Sequence, residues 1–118
     1  MKPRFACLAL AVGLAACGTT PDERPLTIEV VALSILAPTC GQVQCHSSST
    51  HIQGYAFDTL AAAKVAIKRL VSTTPGRTSK LLSVLNADGG ERMPPDAPLA
   101  EEDIALIQAW VDAGAPGL

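Results

Sequence analysis

Residues 40–46 of the chain read Cys40-Gly41-Gln42-Val43-Gln44-Cys45-His46. Two thiols and an imidazole so close together suit three kinds of site. The cysteines can form a local disulfide beside an incidental histidine, as nearby cysteines usually do outside the cytoplasm. They can also belong to a zinc site, which needs about four ligands, although His51 is the one further candidate nearby. The third possibility is covalent haem attachment, whose signature places two cysteines before an adjoining histidine.

In the haem interpretation both thiols add to vinyl groups along one edge of the porphyrin, and His46 binds the iron as the proximal ligand. The usual signature has two residues between the cysteines, whereas this chain has four. A wider gap can bulge as a loop, provided that Cys45 and His46 keep their relation. The motif favours haem attachment and leaves the disulfide open.

The amino-terminal residues are typical of a bacterial lipoprotein signal peptide. Two positive charges in Met1–Arg4 precede an apolar or small run over 5–16, and Leu14-Ala15-Ala16-Cys17 resembles the lipobox. We therefore expect a signal peptide over 1–16 and a lipid on Cys17. An ordinary signal peptide that happens to end near a cysteine is the alternative.

The remaining chain would consist of a flexible tether over 17–25 and one domain over 26–118. Several acyl chains on one cysteine give stable membrane anchoring. The expected location is the periplasmic side of the cell envelope, and Gly18 after the lipid site slightly favours the outer membrane.

The composition narrows the range of functional classes that the chain can belong to. The 118 residues carry a formal charge of −2, with 48% hydrophobic and 3% aromatic residues. No run of Lys and Arg supports nucleic-acid binding, and no apolar stretch reaches the roughly 18 residues of a membrane span. Once Phe5 leaves with the signal, the aromatic residues are Tyr55, Phe57 and Trp110. A small domain so poor in large side chains would profit from a bulky cofactor or crosslinks.

Apolar residues at helical spacing predict an all-α domain of three to four helices. The first helix is expected over 26–36, with Ile28, Val31 and Ile35 on one side. Ala37-Pro38-Thr39 is expected to end it just before the first cysteine.

Three further helices follow in the prediction. The second begins at a cap on Asp58 and runs to about residue 72, and a short third helix covers 79–85. The last runs from about 99 to a stop at Gly114. Its acidic first turn, Glu101–Asp103, suits the positive end of the helix dipole and is expected to be solvated.

The order of these features resembles a small class I cytochrome c. Several segments are similar to the small c-type cytochrome domains common in planctomycetes and myxobacteria, and together they span about residues 28–116. These segments are Ile35–Cys40, Cys45-His46, Pro75–Leu82, Arg92–Pro95, Leu99–Ile104 and Trp110–Ala115.

The resemblance implies a fold of three to four helices around one haem c. It implies thioether bonds to Cys40 and Cys45, with His46 as the proximal and Met93 as the distal iron ligand.

Features of the sequence also support Met93 as a ligand independently of the resemblance. It is the one methionine left after removal of the signal, and Pro94 and Pro95 stiffen its loop. A neutral thioether favours ferrous iron and raises the reduction potential relative to a second imidazole. Met93 could instead fill a gap in the core. His51 is the rival sixth ligand, but it follows His46 too closely to reach the opposite face easily, so we expect an exposed turn histidine.

Three other side chains have expected places. Arg92 either pairs with a haem propionate or is an ordinary exposed arginine. Trp110 and Tyr55 are expected to line the haem pocket or the core.

With both axial positions filled by protein, the expected function is one-electron transfer rather than enzymatic catalysis. The protein would be a lipid-anchored monohaem cytochrome that exchanges electrons with redox proteins. If Met93 dissociates, the site becomes peroxidase-like or gas-sensing. The remaining alternative is a haem-free lipoprotein with a Cys40–Cys45 disulfide, acting as a structural or interaction module.

Overall fold

The computed structural model describes residues 21–118. The signal peptide expected over 1–16 and the lipid site Cys17 lie outside the described residues. Residues 21–118 contain helices and no strand, which confirms the all-α prediction. None of these helices is long and apolar enough to cross a membrane.

The first helix, α1, has two parts. Val30–Leu36 is wound as a π-helix, and Ala37–Cys40 continues it as an α-helix. The predicted stop before the first cysteine is therefore wrong. Pro38 falls at the start of the second part, where a helix does not need the N–H that proline lacks. The hydroxyl of Thr39 donates to the carbonyl of Ile35 in the turn before it.

The second helix, α2, covers Leu60–Leu70 and begins at Thr59. The hydroxyl of Thr59 accepts a hydrogen bond from the N–H of Ala62 at 3.2 Å. The predicted cap on Asp58 is wrong, because Thr59 has the extended backbone of a cap residue. The carboxylate of Asp58 accepts hydrogen bonds from Ser48 instead.

The third helix, α3, covers Lys80–Leu85, and the fourth, α4, covers Glu101–Asp112. The predicted stop at Gly114 is confirmed. Gly114 has a φ of 90°, and the N–H of Ala115 then reaches the carbonyl of Trp110 at 2.9 Å. This arrangement satisfies a helix-end carbonyl that would otherwise lack a partner.

The helices pack around one apolar core. Helix α2 lies against α1, α3 lies against α2 and α4, and α4 lies against α1. Trp110 is completely buried, as predicted for a core residue, and its Nε1–H donates to the carbonyl of Pro116 at 3.1 Å. The predicted apolar faces supply most of the core, including Ile28, Val31, Ile35, Ile67, Leu81, Leu82, Leu106, Ile107 and Val111.

In the acidic first turn of α4, Glu101 and Glu102 are exposed as expected, whereas Asp103 is half-buried and forms an ion pair. Nη1 of Arg24 lies 2.6 Å from Oδ1 of Asp103, and the same guanidinium also contacts Asp22. These hydrogen bonds raise the pKa of Arg24, and those from Arg24 lower the pKa of Asp22. The chain just before α1 is thus held against the start of α4.

Candidate functional site

Cys40, Cys45 and His46 lie together in one tight loop at the end of α1. The N–H of His46 donates to the carbonyl of Cys40 at 3.0 Å. The N–H of Cys45 donates to the carbonyl of Gln42 at 2.9 Å. Both thiols are half-buried and free. The four-residue gap thus closes as a turn that keeps both thiols and the imidazole within one short segment.

Gly41 allows this loop to pack directly against the backbone before α2. A Cβ at this position would lie 2.7 Å from the carbonyl oxygen of Ala37 and 2.9 Å from Cα and N of Asp58. Those distances leave no room for a side chain, so a glycine is required by close approach. The sequence signals this only by placing a glycine directly after the first cysteine.

The Cys40 thiol lies in surroundings that change its acidity. Burial raises the pKa of Cys40; a hydrogen bond with the Thr39 hydroxyl lowers it, and the neighbouring Cys45 raises it again. Burial is the largest of these effects, so the surroundings of Cys40 favour the neutral thiol over the thiolate. Within residues 21–118, no three His, Cys, Asp or Glu side chains are grouped so that they could hold a metal ion.

One hydrogen bond fixes the ring of His46. Its Nδ1 lies 2.9 Å from the carbonyl oxygen of Ile52. Because a carbonyl can only accept, Nδ1 carries the hydrogen, and the neutral ring keeps a lone pair on Nε2. Histidines that bind metals commonly donate a hydrogen bond from their other ring nitrogen in this way. Sequence reasoning missed Ile52, because its contribution is a backbone oxygen.

Two aromatic rings confine the imidazole. The ring of Tyr55 lies 6.3 Å from that of His46 between centroids, and the ring of Phe57 lies at 5.7 Å. Both contacts are edge-to-face, and the N–H of Phe57 donates to the carbonyl of His46 at 2.8 Å. Tyr55 is half-buried and Phe57 is buried. The imidazole is therefore held in a partly apolar setting.

The run of serine and threonine after His46 forms a hydrogen-bond network. The hydroxyl of Ser47 is buried and lies 2.8 Å from that of Ser49 and 2.9 Å from that of Thr50. The Thr50 hydroxyl donates to the carbonyl of Cys45 at 2.9 Å. This network ties the polar segment to the second cysteine.

Asp58 connects the same loop to the start of α2. Its two carboxylate oxygens accept from the N–H of Ser48 at 2.9 Å and from the Ser48 hydroxyl at 2.7 Å. The bond from the hydroxyl, followed by that from the N–H, lowers the pKa of Asp58. The carboxylate thereby stabilises the folded loop when it is ionised.

We expect Asp58→Asn to reduce stability at neutral pH and to have less effect in acid. The unfolded carboxyl titrates at about pH 3.9, and the folded one titrates lower. The contribution is complete above the unfolded pKa and is lost as the pH falls through the folded pKa. Urea unfolding across this pH range should show the two proteins converging in acid. Ser48→Ala should converge in the same way, and full additivity of the two substitutions would contradict this coupling.

Met93 lies on a different loop, between α3 and α4. Its N–H donates to the carbonyl of Val84 at 2.9 Å, and its side chain is half-buried. The Met93–Pro94 peptide is cis. The Arg92 guanidinium folds back on this loop, donating to the carbonyls of Pro94 at 3.4 Å and Pro95 at 3.3 Å. Within residues 21–118, no backbone hydrogen bond joins this loop to the loop of His46.

Two further features lie apart from these contacts. His51 is exposed, as expected, with a left-handed φ of 45°. A groove of about 470 Å³ lies between the 72–79 loop and α4. Neither cysteine lines this groove, nor do His46 and Met93, so we assign it no part in the site.

Comparison with known proteins found no matching family model, no similar curated protein and no similar solved structure. The function is therefore inferred from the residues and their geometry. Two free thiols beside an imidazole whose Nε2 keeps its lone pair form a donor set that fits covalent haem.

Proposed function

We propose that this protein is a monohaem c-type cytochrome that carries single electrons outside the cytoplasmic membrane. The observation that carries the proposal is the hydrogen bond from Nδ1 of His46 to the Ile52 carbonyl, next to two free thiols. This bond selects the tautomer that an iron ligand requires. A histidine incidental to a disulfide would not need its ring held in this way.

In this proposal each residue has a distinct task. Cys40 and Cys45 would hold the porphyrin covalently, and Nε2 of His46 and the Met93 thioether would bind its iron. The bound haem supplies a one-electron redox centre. The Ile52 carbonyl keeps the proton on Nδ1 of His46, which increases the electron donation available at Nε2.

The same proposal includes the cellular setting. The lipid on Cys17 would anchor the domain on the periplasmic side of the envelope, with the outer membrane slightly favoured. Its partners would be redox proteins that donate and accept electrons, and the protein would catalyse no reaction of its own. The lipobox-like end of the signal and the donor set of the loop support this assignment.

The decisive measurement is the mass of the mature protein after expression with a cytochrome c maturation system. We expect the mass of the acylated chain plus one porphyrin, and haem staining that survives denaturation. The matched control replaces Cys40 and Cys45 with serine and should lose both signals while keeping the acyl chains. An acylated wild-type chain with no porphyrin overturns the proposal, and a further loss of two hydrogens identifies the Cys40–Cys45 disulfide of the haem-free alternative.

A further inference from the structure

We propose that Arg69 is a positioning residue for His46, acting through the loop that presents the Ile52 carbonyl. The inference itself concerns only how the His46 imidazole is held in position. Its consequence for the reduction potential rests on the proposed function.

The guanidinium of Arg69 contacts two consecutive residues of that loop. Its Nη1 donates to the carbonyl of Gly54 at 3.1 Å, and its Cζ lies 4.8 Å from the centroid of the Tyr55 ring. The Tyr55 ring in turn meets the His46 ring edge-on. One side chain of α2 therefore reaches the imidazole by two routes, through an aromatic ring and through the backbone of the loop.

The backbone of this loop is unusual. His51 and Gln53 both have left-handed conformations, with φ of 45° and 57°, which residues other than glycine seldom adopt. Ile52 lies between them, so the direction of its carbonyl depends on both. That oxygen also accepts from the N–H of Tyr55 at 3.2 Å. The partner of His46 is thus fixed by the segment that Arg69 holds.

An arginine is suited to this role in a way that lysine is not. The flat guanidinium can donate in its plane to a carbonyl while its face or edge lies against an aromatic ring. A lysine ammonium is a compact charge on a flexible stem and cannot make both contacts in a fixed geometry. Arg69→Lys therefore keeps the positive charge but cannot keep both contacts, with the Gly54 carbonyl and with the Tyr55 ring.

A simpler explanation is that Arg69 only favours the carboxyl end of α2, where basic residues oppose the helix dipole. Lys68 occupies the same last turn and is exposed. Lys68→Ala is therefore a matched control, because it removes a helix-end charge and leaves the Gly54 and Tyr55 contacts in place.

The experiment compares wild type, Arg69→Lys, Arg69→Ala and Lys68→Ala in the haem-loaded protein, with circular dichroism to show equal helix content. We expect both Arg69 variants to raise the midpoint potential, because a weaker bond at Nδ1 lowers the electron donation of His46 to the iron. We also expect the His46 Nδ1 proton to exchange roughly tenfold faster, the change that corresponds to losing one ordinary hydrogen bond. Lys68→Ala should match wild type in both measurements.

Three results would overturn the inference: Arg69→Lys behaving as wild type, Lys68→Ala shifting as far as Arg69→Ala, or no variant shifting at all. If the protein is isolated without haem, the proposed function fails but this inference is still tested. Nitrogen NMR of the neutral imidazole then reports the tautomer of His46 in the same variants. We expect the hydrogen on Nδ1 in wild type and Lys68→Ala, and a shift toward Nε2 in both Arg69 variants.

Discussion

Met93→Ala is expected to abolish the sulfur-to-iron charge-transfer absorption of the haem-loaded protein and to lower its midpoint potential. A thioether bound to the iron would be a neutral ligand that favours the ferrous state, and residues 21–118 contain no other methionine that could replace Met93. Loss of the ligand should leave a high-spin spectrum and allow small ligands to bind in the ferrous state. Absorption spectra and a redox titration measure both effects.

Met93→Leu is the matched control, because leucine keeps the apolar volume and lacks the sulfur. If Met93 only fills a gap, the leucine variant should keep the wild-type spectrum and potential. If Met93 is the ligand, leucine and alanine should give the same spectral change. A wild-type protein that is already high-spin and binds ligands would contradict stable ligation and favour the peroxidase-like or gas-sensing alternative.

Trp110→Ala is expected to lower the free energy of unfolding by about 3–5 kcal/mol, the usual cost of removing a large buried aromatic side chain. Trp110 is completely buried and is the largest side chain of the core. Small domains have only about 5–15 kcal/mol of stability in total. The variant should therefore unfold at much lower urea concentration and lie close to the limit of folding.

Two controls separate the causes of this loss. Trp110→Phe keeps an aromatic ring but removes the Nε1–H bond to the Pro116 carbonyl, so its cost should be clearly smaller. Val65→Ala changes a side chain that is 65% exposed on α2 and should stay within about 0.5 kcal/mol of wild type. A Trp110→Ala variant as stable as Val65→Ala would contradict the position of this residue in the core.

The helices could be predicted because their apolar residues recur at helical spacing. Ile28, Val31 and Ile35 are all buried, as that spacing requires. The ends were harder to predict. Pro38 was expected to stop α1, but it falls at the start of a new helical segment, where its missing N–H costs little. Asp58 and Thr59 can both cap a helix, and the hydrogen bonds that Ser48 offers to Asp58 leave the cap to Thr59.

The residues of the candidate site also differ in whether the sequence alone can reveal them. Cys40, Cys45 and His46 can be recognised by residue type and spacing, because the chemistry of thiols and imidazole depends on side-chain identity. The carbonyl of Ile52 could not be found by that reasoning, since every residue has a carbonyl. Its direction depends on the left-handed backbone at His51 and Gln53.

The linear order of residues was thus enough to define the all-α class, the apolar faces and the donor atoms near the first helix, since each follows from local spacing. The tertiary structure alone places the Ile52 oxygen against His46 and the guanidinium of Arg69 against Tyr55. The Arg69 contact joins the loop to α2 and depends on how the two pack together, whereas the His46 contact spans six residues of one loop and depends on its left-handed backbone. Local patterns carry no information about that packing, because it depends on how all the buried side chains fit together.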